Sequence, residues 1–155
     1  MELWVEKYRP TTLDGYVGNE VIKNKIEDYL KQGSIQNLLL HGVAGTGKTT
    51  LAKLLVKNID CDYLYINASD ERGIDTIREK IQPFALSMGF NDVKIVILDE
   101  ADYLTPQAQA TLRHTIEACS ATTRFILTCN YLERIISPLQ SRCQTFEIIP
   151  PSKDD

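Results

Sequence analysis

The chain has 155 residues, of which 43% are hydrophobic and 25% are charged, as expected for one soluble globular domain. Its net charge of −4 argues against general attraction to nucleic acid, so any DNA contact would need a local basic surface. The sequence has no apolar run of about 18 residues, and its polar start is unlike a signal peptide. We therefore expect no membrane partner and a cytoplasmic or nuclear location (in the host cell if the protein is viral), not secretion.

Short apolar runs alternate with longer stretches of helical periodicity. The predicted strands are Leu38–His41, Tyr63–Asn67, Lys94–Leu98, Arg124–Cys129 and Thr145–Ile149. These runs are continuous rather than alternating, which is typical of strands that are covered on both faces. The predicted helices are Val21–Lys31, Lys48–Lys57, Asp75–Gln82 and Pro106–Ala118. This order predicts an α/β fold in which helices sandwich a mostly parallel five-stranded sheet.

Proline and threonine mark the ends of several of these elements. Thr105 precedes Pro106 and is expected to cap that helix. Pro83 falls inside a helical pattern and is expected to end or kink the helix near Gln82. The polar tail of residues 150–155 predicts a linker, which leaves residues 1–149 as the folded domain.

A glycine-rich segment between the first strand and the next helix carries the strongest functional signal. Gly42–Thr49 fits the pattern G-x-x-x-x-G-K-[ST], in which backbone N–H groups surround phosphate oxygens at a helix N-terminus. Lys48 is expected to contact the β- and γ-phosphates of ATP, and Thr49 to coordinate Mg²⁺. The predicted phosphate-binding residues are Gly42, Val43, Ala44, Gly45, Thr46, Gly47, Lys48, Thr49 and Thr50.

Polar side chains follow three of the predicted strands. Asp99 and Glu100 end an apolar strand, where Asp99 is expected to hold the magnesium shell and Glu100 to orient or deprotonate the attacking water. Asn130 ends the next strand and is expected to sense the γ-phosphate. Asn67 occupies an analogous position, and we expect it to tether Glu100 in the resting state.

The letters Asp99-Glu100-Ala101-Asp102 also occur in a large class of helicases. That class is expected to carry a Ser-Ala-Thr motif on the next strand, followed by a second motor domain. Here the next strand is Arg124–Cys129, which lacks that motif. The helicase interpretation is therefore disfavoured.

The four cysteines, by contrast, carry no chemical signal. They are Cys61, Cys119, Cys129 and Cys143. Their spacing contains no C-x-x-C pair, which argues against a zinc site and favours reduced thiols.

Several segments along the chain form a recognisable series of sequence boxes: Trp4–Pro10, Val17–Glu20, Gly42–Thr49, Asn67–Ile74, Asp99–Asp102, Asn130 and Ser141–Cys143. This series resembles the boxes of sliding-clamp loader subunits, the replication factor C and phage clamp-loader ATPases of the AAA+ class. The opening box and Ser-Arg-Cys are specific to clamp loaders, whereas the phosphate loop is shared by many ATPases. Val43-Ala44 replaces the usual Pro-Pro, and we expect phosphate binding to survive this change.

The resemblance implies roles for further residues. It places an adenine pocket at Val5, Tyr8, Arg9, Pro10 and Val17, and adds Gly18 to the nucleotide-binding residues. It makes Arg142 an arginine finger that enters the ATP site of a neighbouring subunit, where such a residue stabilises the transferring phosphoryl group. It also implies a helical lid and an oligomerising collar beyond residues 150–155, so ATP hydrolysis is expected only on assembly.

The resemblance also implies partners. The expected function is ATP-driven opening of a sliding clamp and its loading on primer–template DNA by a ring or spiral of subunits. Arg78, Lys80 and Arg113 are expected to track DNA phosphates, and the clamp is expected to contact an apolar stretch at Phe84, Leu86, Met88 and Phe90. Two alternatives stay open, an AAA+ branch-migration motor of the Holliday-junction type and a nucleotide-binding subunit with no activity in isolation.

Overall fold

The computed structural model describes residues 24, 28, 29, 31, 36–43, 47–57, 59, 61–87 and 93–148. Five strands lie within these ranges: β1 (Leu38–His41), β2 (Asp62–Asn67), β3 (Lys94–Asp99), β4 (Thr123–Cys129) and β5 (Gln144–Glu147). The helices are α1 (Lys48–Lys57), α2 (Ile74–Thr76, Ile77–Ile81 and Gln82–Leu86 in succession), α3 (Pro106–Ala118) and α4 (Ser137–Gln140). Residues 24, 28, 29 and 31 of the predicted helix Val21–Lys31 are also helical.

The five strands form one sheet in the order β2-β3-β4-β1-β5, and every strand pair is parallel. This confirms the predicted α/β architecture. Because all strands run the same way, the phosphate loop after β1, the acidic turn after β3 and the turn after β4 meet at one edge of the sheet. We call this the carboxyl edge, and the opposite one the amino edge.

Two hydrophobic clusters cover the two faces of the sheet. On one face, Leu38, Ile97 and Ile126 pack with Leu51 and Leu55 of α1. On the other face, α2 and α3 pack on the sheet through a second set of buried residues, which includes Leu39, Val96, Phe125, Ile77, Ile81, Leu112 and Ile116. Since neighbouring strand residues point to opposite faces, both halves of the apolar runs in the central strands β1, β3 and β4 are buried. The edge strands β2 and β5 instead expose alternate residues, so the expectation that all the runs are covered on both faces holds only for the central strands.

Of the two outcomes expected for Pro83, an end of the helix near Gln82 is not observed. Helix α2 continues through Pro83 to Leu86, and Gln82 keeps right-handed helical angles. The preceding segment, Ile77–Ile81, is a π-helical turn, in which the N–H of Gln82 donates to the carbonyl of Ile77, five residues back. This wider turn shifts the backbone carbonyls with which a proline ring would clash in a regular α-helix. The helix therefore accommodates Pro83.

The predicted cap of α3 is confirmed. The Thr105 hydroxyl accepts a hydrogen bond from the N–H of Ala108 at 3.1 Å, and Pro106 occupies the first turn. Strand β5 begins one residue before its predicted start and ends at Glu147.

Candidate functional site

The phosphate loop is described at both of its ends. Gly42 and Gly47 have positive φ angles of 155° and 90°, which residues with a Cβ rarely adopt. The N–H of Gly42 donates to the carbonyl of Cys129 at 3.2 Å, which ties the start of the loop to the end of β4. Residues 44–46 of the predicted loop lie outside the described residues.

Lys48 turns back into the loop. Its ammonium group donates to the carbonyls of Gly42 and Val43, both at 2.8 Å, and only 7% of the residue is exposed. Burial lowers the pKa of Lys48, while nearby negative charges, including that of Asp99, oppose this shift. A positive charge is thus held where the sequence predicts phosphates.

The Asp99 carboxylate, 6% exposed, is the centre of a hydroxyl network. The Thr49 hydroxyl lies 2.8 Å from Oδ1 and 3.0 Å from Oδ2. Thr128 donates to Oδ1, and the Tyr65 hydroxyl donates to Oδ2 at 2.7 Å. Thr49 and Asp99 are thus brought together as predicted, whereas Thr128 and Tyr65 were not predicted.

This donor set fits a magnesium ion. Carboxylate and hydroxyl oxygens are hard ligands, and Mg²⁺ in nucleotide sites is typically held by one or two carboxylates plus substrate phosphates. Within the described ranges, no three His, Cys, Asp or Glu residues form a metal cluster. The oxygens of Asp99 and Thr49 therefore suit an ion that arrives with a phosphate ligand.

Glu100 adopts a left-handed backbone conformation, with φ of 56° and ψ of 47°. Such a conformation costs a residue with a side chain on the order of 1–3 kcal/mol and occurs preferentially at functional sites. The N–H of Glu100 donates to the Thr128 hydroxyl at 3.0 Å. Thr128 therefore fixes both the Asp99 carboxylate and the strained Glu100 turn, and its clue in the sequence is a polar residue inside the apolar strand β4.

Asn130 follows β4 at the same edge, and Asp102 holds its backbone. Asp102 Oδ2 accepts the N–H groups of Asn130 and Tyr131 at 3.3 and 3.1 Å. Its Oδ1 is buried without a hydrogen-bond partner among the described residues. The acidic turn after β3 and the turn carrying Asn130 are thus joined directly.

The proposed tether between Asn67 and Glu100 is not observed in the described part of the chain. Asn67 Oδ1 instead accepts the N–H and the hydroxyl of Ser69, at 2.9 and 2.7 Å. This local turn satisfies the Asn67 oxygen and orients the side chain toward Ser69.

Arg142 lies at the amino edge, away from the phosphate loop. It precedes β5, whose first residue Gln144 pairs with Leu38 at the start of β1. The loop begins beyond His41, roughly 10 Å farther along the sheet at about 3.3 Å per residue. Its guanidinium forms an ion pair with Glu117, and it lines an open cavity of about 580 Å³ together with polar residues that include Asn37.

The three predicted DNA contacts lie on the neighbouring helices α2 and α3. Lys80 forms an ion pair with Glu71, and Arg113 lies 3.4 Å from the Glu117 carboxylate. Arg78 is exposed. Glu117 thus contacts both Arg113 and Arg142, which reduces the free positive charge on this surface.

The role of a buried glutamine in α3 was also not predicted from the sequence. Gln109, 1% exposed, donates to the carbonyls of Leu104 and Arg134 at 3.2 and 2.9 Å and accepts the N–H of Ile136 at 2.7 Å. It anchors α3 to the segment that follows Asn130. The only clue in the sequence is its position on the apolar side of the helix.

Several other predicted site residues lie outside the described residues. They are Val5, Tyr8, Arg9, Pro10, Val17, Gly18, Met88 and Phe90. Within the apolar stretch, Phe84 packs partly against the core, whereas Leu86 is 70% exposed. The adenine pocket and the clamp contact stay predictions.

Comparison with known proteins identifies the family. A family model described as "ATPase family associated with various cellular activities (AAA)" matches residues 38–151. The chain belongs to this AAA family. Nucleotide binding is accordingly a property of this AAA domain.

Relatives with curated names are similar over almost the whole chain. Proteins named replication factor C small subunit are 49% identical over 96% of the chain in Natronomonas pharaonis and 47% identical over 99% in Archaeoglobus fulgidus. The AAA chain spans only about half of them, 48% and 50% of their lengths.

Solved structures of a Thermotoga maritima protein share the fold. The RuvB Holliday junction branch migration motor aligns with a TM-score of 0.75 at 23% identity, over 90% of this chain and 48% of that one. At this identity the likeness shows the fold alone. No helix among the described residues is long and apolar enough to cross a membrane.

Proposed function

We propose that this AAA chain is the ATP-binding and ATP-hydrolysing part of a clamp-loader subunit, which opens a sliding clamp and loads it on primer–template DNA during replication. The observation that carries the ATPase part is the contact between Thr49 and Asp99, fifty residues apart, beside a buried Lys48. The similarity to replication factor C small subunits supports the clamp-loading part.

The residues of the carboxyl edge have distinct proposed roles. Lys48 would move from the loop carbonyls to the β- and γ-phosphates, and Thr49 and Asp99 would hold Mg²⁺. When bound, this ion neutralises charge on the phosphates. Glu100 would orient the attacking water and accept its proton, and Asn130 would contact the γ-phosphate.

Arg142 is proposed to act on the ATP of a neighbouring subunit. Its place at the amino edge, away from the phosphate loop of its own chain, supports a role across an interface. The proposed partners are therefore other loader subunits, the sliding clamp and primer–template DNA, with ATP and Mg²⁺ as cofactors.

Two substitutions separate nucleotide binding from hydrolysis. Lys48→Ala should abolish ATP binding, because it removes the cation inside the loop. Glu100→Gln should preserve binding but slow turnover in the assembled complex by about 10²–10⁴-fold, because a carboxamide is not a useful base. Calorimetric titration with Mg-ATP and a steady-state ATPase assay measure these effects.

Lys57→Ala is the matched control for Lys48, since Lys57 is an exposed lysine at the end of the same helix. Unchanged ATP affinity in Lys48→Ala would refute the nucleotide site. Normal ATP turnover by an assembly that loads no sliding clamp on primed DNA would refute the clamp-loader assignment and keep the ATPase.

A further inference from the structure

Tyr65 contacts the proposed magnesium site from the edge strand of the sheet. It lies on β2 opposite Ile97, so its side chain shares a face with Asp99, two residues farther along β3. Its hydroxyl donates to Asp99 Oδ2 at 2.7 Å. Diagonal neighbours on adjacent strands are within reach of an aromatic side chain, so this contact follows directly from the strand register.

The aromatic ring is itself held in place. The Lys53 ammonium lies 4.9 Å from the centroid of the Tyr65 ring. Lys53 is one turn beyond Thr49 on α1, so the helix that supplies Thr49 also positions Tyr65.

The Asp99 carboxylate needs such partners, because the last torsion of an aspartate side chain has a broad and roughly two-fold energy profile. Thr49 contacts both carboxylate oxygens, but Thr49 is also a proposed magnesium ligand. A metal ion would take a lone pair of the Thr49 oxygen, and the single Thr49 proton can then donate to one carboxylate oxygen at most. Thr128 on Oδ1 and Tyr65 on Oδ2 each hold one oxygen of Asp99 and are not proposed metal ligands.

We propose that Tyr65 is a positioning residue for Mg²⁺, which holds the Asp99 carboxylate in the orientation that the ion requires. This inference rests on the proposed ATPase function and deepens it. Groups that orient metal ligands through hydrogen bonds typically contribute 10–100-fold to metal affinity. Tyr65 should therefore set the Mg²⁺ concentration at which the nucleotide complex forms, without changing how the nucleotide binds when the metal is absent.

Tyr65→Phe tests the proposal, because it removes the hydroxyl and keeps the ring and its contact with Lys53. ADP affinity of the purified chain is measured by calorimetry across a Mg²⁺ series and in EDTA. Binding of Mn²⁺ to the ADP complex, followed by electron paramagnetic resonance, gives a direct metal readout. We expect the metal midpoint to rise by about 10-fold or more, with unchanged ADP affinity in EDTA.

Tyr63→Phe is the matched control. Tyr63 lies two residues earlier on the same strand and face and is 58% exposed, whereas the tyrosine that bonds Asp99 in the described part of the chain is Tyr65. An unchanged metal midpoint in Tyr65→Phe would overturn the proposal. An equal loss of ADP affinity with and without metal would also overturn it, since it would show a structural role. If the wild-type chain bound ADP in neither buffer, the proposed function would fail first and this inference with it.

Discussion

The two edges of the sheet differ in how firmly they hold their functional side chains. At the carboxyl edge, Asp99 and Thr128 are 6% and 1% exposed and joined by hydrogen bonds. At the amino edge, the side chains of Arg142 and Glu117 are 45% and 37% exposed and joined by one ion pair. Exposed ion pairs contribute only about 0–1 kcal/mol. The carboxylate proposed to hold Mg²⁺ is therefore fixed in advance, whereas Arg142 can leave its partner at little cost.

The largest expected effect on ATP turnover comes from removing Arg142 at the amino edge. In the assembled complex, Arg142→Ala should reduce ATP turnover by about 10³-fold or more, because an arginine finger stabilises the transferring phosphoryl group. ATPase assays on complexes that mix Arg142→Ala subunits with Lys48→Ala subunits assign the loss to one interface. Nucleotide affinity of the isolated chain should not change.

Glu117→Gln tests the ion pair of Arg142 separately from Arg142 itself. It weakens the hold on Arg142 but leaves the arginine available, so turnover should stay close to the wild-type rate. Weaker nucleotide binding by the isolated Arg142→Ala chain would indicate that Arg142 acts within its own subunit.

An intermediate effect is expected for DNA. Arg78→Ala combined with Arg113→Ala should weaken DNA binding by the assembly and reduce the salt slope by about one unit for each lost phosphate contact. Base sequence should not matter, because phosphate contacts do not read it. Binding is measured across a salt series.

Two single variants serve as controls for the DNA-binding experiment. Lys57→Ala, on the helix that covers the opposite face of the sheet, should leave both affinity and slope unchanged. Lys80→Ala should have a smaller effect than the double variant, because it removes one positive charge rather than two and that charge is paired with Glu71. An unchanged slope in the double variant would place the DNA path elsewhere.

The smallest expected effect concerns the strained turn at the carboxyl edge. Glu100→Gly should leave stability unchanged or raise it by up to about 1 kcal/mol, because glycine accepts a positive φ without strain. Glu79→Gly, at an exposed position in α2, should lower stability by about 0.5–1 kcal/mol. Urea denaturation measures both, and equal losses would show that the Glu100 turn stores no strain.

The sequence was sufficient to predict elements that follow from local pattern. Strand β1 and helices α1 and α3 have their predicted limits, because continuous apolar runs and a threonine cap are local signals. The π-helical turn through which α2 continues past Pro83 was not predicted. A π-helical turn makes poorer use of backbone hydrogen bonds than an α-helix and depends on the packing of Ile77 and Ile81 against the sheet.

The same difference between local and long-range signals applies to the candidate site. Asp99 and Thr49 could be paired from motifs, since parallel strands bring their ends to one edge. Tyr65 and Thr128 could not, because their hydroxyls reach Asp99 through strand register, which no local pattern specifies. Gln109 was missed because two of its partners, Arg134 and Ile136, lie 25 and 27 residues away in the sequence.

The π-helical turn of α2 also has a consequence for how this chain is aligned with relatives. A turn closed five residues back holds one more residue than an α-helical turn, so it acts as a single inserted residue within a continuous helix. At 3.6 residues per turn, such an insertion rotates everything beyond it by about 100° relative to a regular helix. Arg78 lies within the turn and Leu86 beyond it, so deleting one residue at the turn would convert it to an α-helical turn and keep both of these surfaces on their present faces.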